Sequence, residues 1–286
     1  IQWRPVARQP ESHIDEEPGS WLVFADKQGV SQALSTLLAE KGGRCIQVSA
    51  GESYTRLTAD QFCIRPDRAE DIQQLFADVF GTEQPVCRGV VHLWSLDAST
   101  DGSPASLEAA QTLGCGHALL LTQTLARTEW QERPRLWLVT QGAQAVEPNT
   151  TTATGVAQAP LWGLGRVIAA EHAELWGGLI DVDSSSPVSE TTALLRDEIF
   201  SPDGEDQLAF RGKERYAARL ARRSQTANPA RPFRWRADAT YLITGGLGGI
   251  GFQVARWMAE QGVRRLILMG RTPLPPRSRW HQALEG

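Results

Sequence analysis

Eight consecutive residues, Thr244-Gly245-Gly246-Leu247-Gly248-Gly249-Ile250-Gly251, carry the clearest chemical pattern in the chain. Gly246, Gly248 and Gly251 satisfy G-x-G-x-x-G, and Gly245, Gly249 and Gly251 satisfy the looser T-G-x-x-x-G-x-G. Glycines are needed at such a turn because the backbone bends tightly and approaches a pyrophosphate closely. The amides at the start of the next helix then face the anion. The motif has meaning only between a strand and a helix. Here the apolar run Tyr241-Leu242-Ile243 precedes it, and a stretch with Val254, Trp257 and Met258 at helical spacing follows. A dinucleotide is the ligand implied; the competing reading is a glycine turn that only packs helix against strand.

The following apolar run, Leu266-Ile267-Leu268-Met269, ends at Gly270-Arg271-Thr272. A dinucleotide site meets the adenosine ribose at the end of this strand, where an acid favours NAD and an Arg favours the 2′-phosphate of NADP. Arg271 stands there and no acid does, so NADPH is the expected cofactor; the alternative is an ordinary surface Arg. Thr272 is either a further hydroxyl donor or a loop residue.

These residues need a sheet behind them. Apolar runs at Trp21–Phe24, Cys45–Val48, Gly89–Trp94, Arg135–Val139 and Gly178–Val182 alternate with helical stretches. The helices are expected around Leu34–Leu38, over Leu107 to about Leu125, and from about Pro160 to His172. That alternation predicts an α/β fold with a parallel sheet covered on both faces. Two short strands, Gln207–Arg211 and Arg215–Leu220, follow around Gly212-Lys213, and the polar stretch from Arg222 to Pro232 is expected to be a linker.

The chain then restarts. At a constant offset of 220 residues, Trp21-Leu22-Val23-Phe24 falls on Tyr241-Leu242-Ile243-Thr244, Gly29 on Gly249, and Ala39-Glu40-Lys41-Gly42 on Ala259-Glu260-Gln261-Gly262. Ile46 and Val48 fall on Leu266 and Leu268. Two related βαβ units, each opening a doubly wound domain, are expected. The first has Ala25, Asp26 and Ser31 where the second has Gly245, Gly246 and Gly251. Asp26 is expected to repel a phosphate, leaving the first domain a shape without a nucleotide site.

Composition narrows the rest. A net charge of −4 gives no pull toward nucleic acid or anionic lipid. No apolar run reaches the roughly 18–20 residues needed to span a bilayer. The four cysteines form no C-x-x-C pair and the five histidines are scattered. Reduced buried thiols and no metal site are therefore expected, in a cytoplasmic protein. The chain starts at Ile1 without a Met, as a cut from something larger would.

A decayed Rossmann-like domain followed by a T-G-G-L-G-G-I-G domain resembles the ketoreductase region of modular type I polyketide synthases. Trp3-Arg4-Pro5 resembles its opening strand, and Val91-His92-Leu93-Trp94-Ser95-Leu96 its central strand. The most specific match is Ala159-Pro160-Leu161-Trp162-Gly163-Leu164-Gly165-Arg166-Val167, continued by Glu171-His172 and Gly177-Gly178-Leu179-Ile180-Asp181. The resemblance covers essentially the whole chain. It implies a structural subdomain over 1–221, a linker over 222–233 and the front of a catalytic subdomain over 234–286. It also implies a short-chain dehydrogenase/reductase-type fold and NADPH-dependent reduction of a β-ketoacyl group. That group would hang on the phosphopantetheine of an acyl carrier protein, with neighbouring synthase domains as further partners. The direct link between subdomains implies a module without an enoylreductase inserted there.

Such reductases use a Tyr, Ser, Lys and Asn later in the catalytic subdomain. Four residues after Tyr54, Tyr216 and Tyr241 stand Thr58, Leu220 and Gly245, so none shows the Tyr-x-x-x-Lys or Tyr-x-x-x-Asn pattern. No catalytic residue is expected in this chain, and the fragment alone is expected to be inactive. The alternative is a non-catalytic pseudo-ketoreductase scaffold that organises neighbouring domains; the intact glycine loop and Arg271 favour the reductase.

Overall fold

Both faces of a parallel sheet must be covered, so its strands are apolar throughout and alternate residues enter two different cores. The strand around Trp21 behaves this way: Leu22 and Phe24 join one buried cluster, Trp21 and Val23 another. The computed structural model describes residues 1–8, 19–40, 42–81, 86–98, 101–146, 153–222, 234–271 and 276–277. The chain divides into two units, Ile1–Ala221 and Arg222–Gly286, taken here in turn. Of the expected linker, only Arg222 lies among the described residues.

The described strands of the first unit form one sheet: β1 (Gln2–Pro5), β2 (Ser20–Phe24), β3 (Arg44–Ala50), β4 (Thr55–Arg56), β5 (Gln61–Ile64), β6 (Cys87–His92), β7 (Arg135–Gln141), β8 (Trp176–Val182), β9 (Gln207–Arg211) and β10 (Glu214–Arg219). Their order is β1-β10-β9-β8-β7-β6-β2-β3-β5-β4. Neighbours from β5 through β9 run parallel, and β4, β10 and β1 pair antiparallel at the edges. The chain moves outward from β2 in both directions. The carboxyl ends of β2 and β6 are therefore the topological switch point, where doubly wound sheets bind ligands.

Helices α1 (Val30–Glu40) and α7 (Val188–Phe200) cover one face, burying Leu34, Leu38, Leu195 and Ile199 with Trp21 and Val23. On the other face lie α2 (Ala69–Val79), α4 (His117–Arg127) and α6 (Pro160–Glu171), with Leu75, Leu121 and Trp162 in the core. The long helix expected over Leu107–Leu125 is broken into α3 (Pro104–Gln111), a π-helical turn Thr112–Gly116, and α4. Its sequence, Thr-Leu-Gly-Cys-Gly, places two poor helix formers at the break. A short α5 (Ala153–Gln158) precedes α6. The run expected to end at Trp94 stops at His92, and Trp94–Asp97 is a 3₁₀ turn beyond β6.

The second unit is one βαβ: β11 (Thr240–Thr244), α8 (Gly249–Glu260) and β12 (Arg265–Met269), its strands parallel. Left-handed glycines end both equivalent helices, Gly42 at φ +77° and Gly262 at φ +93°. Beyond them the constant offset fails by one residue. Trp21 pairs with Cys45, but Tyr241 pairs with Leu266 and not with Arg265. The connection after Gly262 is one residue longer, so Ile46 and Val48 correspond to Ile267 and Met269, not to Leu266 and Leu268. A slip of one residue exchanges the faces of a strand. Leu266 and Leu268 are half-buried, as are Tyr241 and Ile243, and Tyr241 packs with Trp235, itself against Trp257 of α8. Leu242, Ile267 and Met269 are each more than half exposed.

Candidate functional site

The turn after β11 is shaped by three glycines, and not all three belong to either sequence pattern. Gly245 has φ +69°, a left-handed conformation that a side chain would strain. A Cβ on Gly246 would stand 2.8 Å from the Ile243 carbonyl oxygen and 3.0 Å from the Leu268 side chain. A Cβ on Gly251 would stand 2.2 Å from the Gly245 carbonyl oxygen, closer than any real contact. The first turn of α8 is thus drawn against the loop, and no side chain fits between them. Around Gly249 a Cβ would meet nothing within 4 Å, and at Gly248 its nearest neighbour would be 3.3 Å away. The tight turn itself does not require those two glycines.

Hydrogen bonds fix the turn. Gly246 N donates to the Met269 carbonyl at 3.0 Å, tying the loop to the end of β12. Gly248 N donates to Gly245 O at 2.9 Å, and Phe252 N to Gly248 O at 2.8 Å. The N-cap of α8 is Gly248, so no side chain caps this helix. The amides of the first turn point out of the helix with no partner inside it, at its positive end. Thr244 is exposed at the end of β11, Leu247 lies against Gly270, and Ile250 is 85% exposed. Arg271 follows β12 and is exposed; Thr272 lies outside the described residues. The arrangement offers uncapped amides beside a Cβ-free cradle, with a guanidinium beyond the neighbouring strand. It fits a pyrophosphate joined to a second anionic group.

The corresponding turn of the first unit is filled. The Asp26 carboxylate does not face outward to repel a ligand, as its sequence position suggests; it turns inward. It accepts from Gln28 N at 2.9 Å, Val30 N at 3.1 Å and Ser31 N at 2.7 Å, and Asp26 is only 8% exposed. Lys27 N donates to Asp97 Oδ1 at 2.8 Å, and the Gln28 side-chain amide donates to Leu96 O. Both bonds cross from the β2 turn to the 3₁₀ turn after β6. The Asp97 carboxyl is held above its usual range by burial first, with the Asp26 charge adding to the effect.

Beneath this switch point lies a buried pair that sequence reasoning treated as scattered residues. His92 Nε2 and His117 Nδ1 are 3.0 Å apart, both rings are fully buried, and Phe24 and Trp94 pack against them. Burial pushes His92 down to about 3 and drives His117 well below its ordinary value, so both are neutral. Neither outer ring nitrogen has a hydrogen-bond partner among the described residues. No group of three or more His, Cys, Asp or Glu able to hold a metal occurs among the described residues. No described helix is long and apolar enough to cross a membrane.

Comparison with known proteins bears on both units. Residues 2–220 match the family model of the Rossmann fold domain of polyketide synthase extender module SpnB, and residues 239–286 match that of the KR domain. Polyketide synthase GfsB of Streptomyces halstedii is 33% identical over 286 residues, covering 95% of this chain and 5% of that protein. The 5-methyl-1-naphthoate synthase of Streptomyces sahachiroi is 43% identical over 162 residues, 56% of this chain and 8% of the synthase. The chain thus spans less than a tenth of these relatives. Among solved structures, a C2-type ketoreductase from a modular polyketide synthase superimposes with a TM-score of 0.61 at 31% identity, covering 93% of this chain and 52% of that one. A-type ketoreductases from a modular polyketide synthase give 0.59 at 29% identity, covering 99% and 55%.

Proposed function

Because the chain belongs to the ketoreductase region of modular polyketide synthases, we propose that it forms the cofactor-binding front of an NADPH-dependent β-ketoreductase. The reaction is reduction of a β-ketoacyl group, held on the phosphopantetheine arm of an acyl carrier protein, to a β-hydroxyacyl group. In this reading 1–221 is the structural subdomain, 222–233 the linker and 234–286 the front of the catalytic subdomain, with other synthase domains as neighbours. NADPH, when bound, supplies the hydride. The chain's own residues bind and orient it. Thr244 to Gly251 receive the pyrophosphate on backbone amides, and Arg271 with Thr272 takes the 2′-phosphate. None of the three tyrosines is assigned as proton donor. Tyr54 donates to Asp78, Tyr216 to Glu214, and Tyr241 accepts from Arg236 N.

The observation that carries this reading is the contrast at the two helix starts: uncapped and Cβ-free at α8, filled by Asp26 at α1. Its test is a titration of the chain with NADPH and with NADH, followed by nicotinamide fluorescence. A charge-assisted contact contributes about 1.5–3 kcal/mol, so NADPH should bind roughly ten- to hundredfold more tightly. Arg271→Ala should remove that preference while leaving NADH nearly unchanged. Equal binding of both cofactors by the unsubstituted chain would refute the role of Arg271. Binding of neither would favour the non-catalytic scaffold.

A further inference from the structure

Four turn amides of the first unit, those of Lys27, Gln28, Val30 and Ser31, end on two carboxylates, Asp26 and Asp97. An ordinary N-cap side chain sits next to the helix and bonds one amide of its first turn. Asp26 lies three positions ahead of Gly29, the residue that leads into α1, and still gathers three amides. Gly29, at φ +101°, curls the backbone around the carboxylate. Successive N–H groups converging on one anion in a concave turn form an anion site, not merely a cap. Asp97 reaches the same turn from the carboxyl end of β6 and takes the remaining amide. The Gln28–Leu96 bond closes the crevice between the two strands beside it.

We infer that the first unit keeps an intact anion site and fills it with its own side chains: Asp26 and Asp97 are the internal counterparts of the two phosphates a dinucleotide would place there. Exclusion is then by occupancy and not by charge repulsion at an open site. The site is also a structural element of the switch point, because removing the anion leaves buried amides without an acceptor. An external phosphate should replace it. This inference rests on the reading of the first unit as one without a nucleotide site.

The test is thermal unfolding of the full chain in chloride and in inorganic phosphate at matched ionic strength, for the unsubstituted protein, Asp26→Gly and Asp26→Asn. In chloride, Asp26→Gly should lower Tm by about 4–8 °C. Phosphate should recover much of that loss in Asp26→Gly while changing the unsubstituted protein far less. Asp26→Asn keeps the volume and an acceptor oxygen but no charge, and should show a smaller loss with little phosphate-specific recovery, because the site stays occupied. A recovery as large as that of Asp26→Gly would mean exclusion by charge. Asp26→Asn gives the reading if Asp26→Gly does not fold. An unchanged Tm for both variants in chloride would overturn the inference. So would a phosphate effect equal in all three proteins. Failure of the underlying reading looks different: the unsubstituted protein would bind NADPH at the turn after β2.

Discussion

The turns after β2 and β11 join equivalent elements, a parallel strand and a helix ended by a left-handed glycine, yet they solve opposite problems. After β11 the backbone crowds so closely that Gly246 and Gly251 admit no Cβ, and the helix start is left without a side-chain cap. After β2 the same helix start is satisfied from within, by a carboxylate whose three hydrogen bonds are 3.1 Å or shorter. A βαβ unit therefore has two ways to treat the unpaired amides of its helix. It can present them to a ligand at the cost of a bare N-terminus, or satisfy them internally and become scaffold. The buried surroundings agree with this division. Beneath the filled turn lie neutral histidines and large aromatic rings; beside the uncapped turn lie exposed apolar residues of a two-stranded sheet.

The sharpest way to break the comparison is steric. Gly251→Val should lower NADPH affinity by more than about a hundredfold, because a Cβ 2.2 Å from Gly245 O forces α8 away from the loop. It should leave the unfolding of the first unit unchanged, which hydrogen exchange of the buried β2 and β6 amides reports from within that core. Retained binding would mean that the cradle is not the site.

A smaller effect probes the filled side. His92 is held at about 3 and His117 is also lowered, both by burial, whereas the unfolded chain titrates near 6.5. A base with a depressed folded pKa contributes full stability above the unfolded pKa and loses it as pH falls from about 6.5 toward 3. From pH 7.5 to pH 5.0 the first unit should therefore lose roughly 2 kcal/mol through His92, with His117 acting in the same direction. Urea unfolding at the two pH values measures this. His92→Leu/His117→Leu should flatten the dependence, and a flat profile in the unsubstituted protein would contradict a neutral pair.

Much of this division was legible in the sequence. The glycine loop, its apolar strand, Arg271 beyond the next strand and the alternating parallel core are local patterns with short-range causes. Helix α2 also carried a readable stripe, Ile72, Leu75, Phe76 and Val79, but Arg68 at its start makes no side-chain cap and announces no boundary. Helix α7, with Leu195, Ile199 and Phe200 buried, starts after Pro187, again without a side-chain bond. The one-residue slip before β12 was hidden because Leu266 to Met269 are all apolar, so either register satisfies the hydrophobic pattern; pairing with β11 decides between them. The inward turn of Asp26 was also hidden. A residue type gives the charge, but the direction of the side chain depends on the left-handed Gly29 and on the amides it gathers.

The central claim is that one helix start takes a dinucleotide and the other is already filled. Amide hydrogen exchange of the full chain with and without NADPH tests it most directly. Slowed exchange at Leu247 to Gly251, with no change at Lys27 to Ser31, is the expected result. NADPH-dependent protection at Lys27 to Ser31, or none at Leu247 to Gly251, would contradict it.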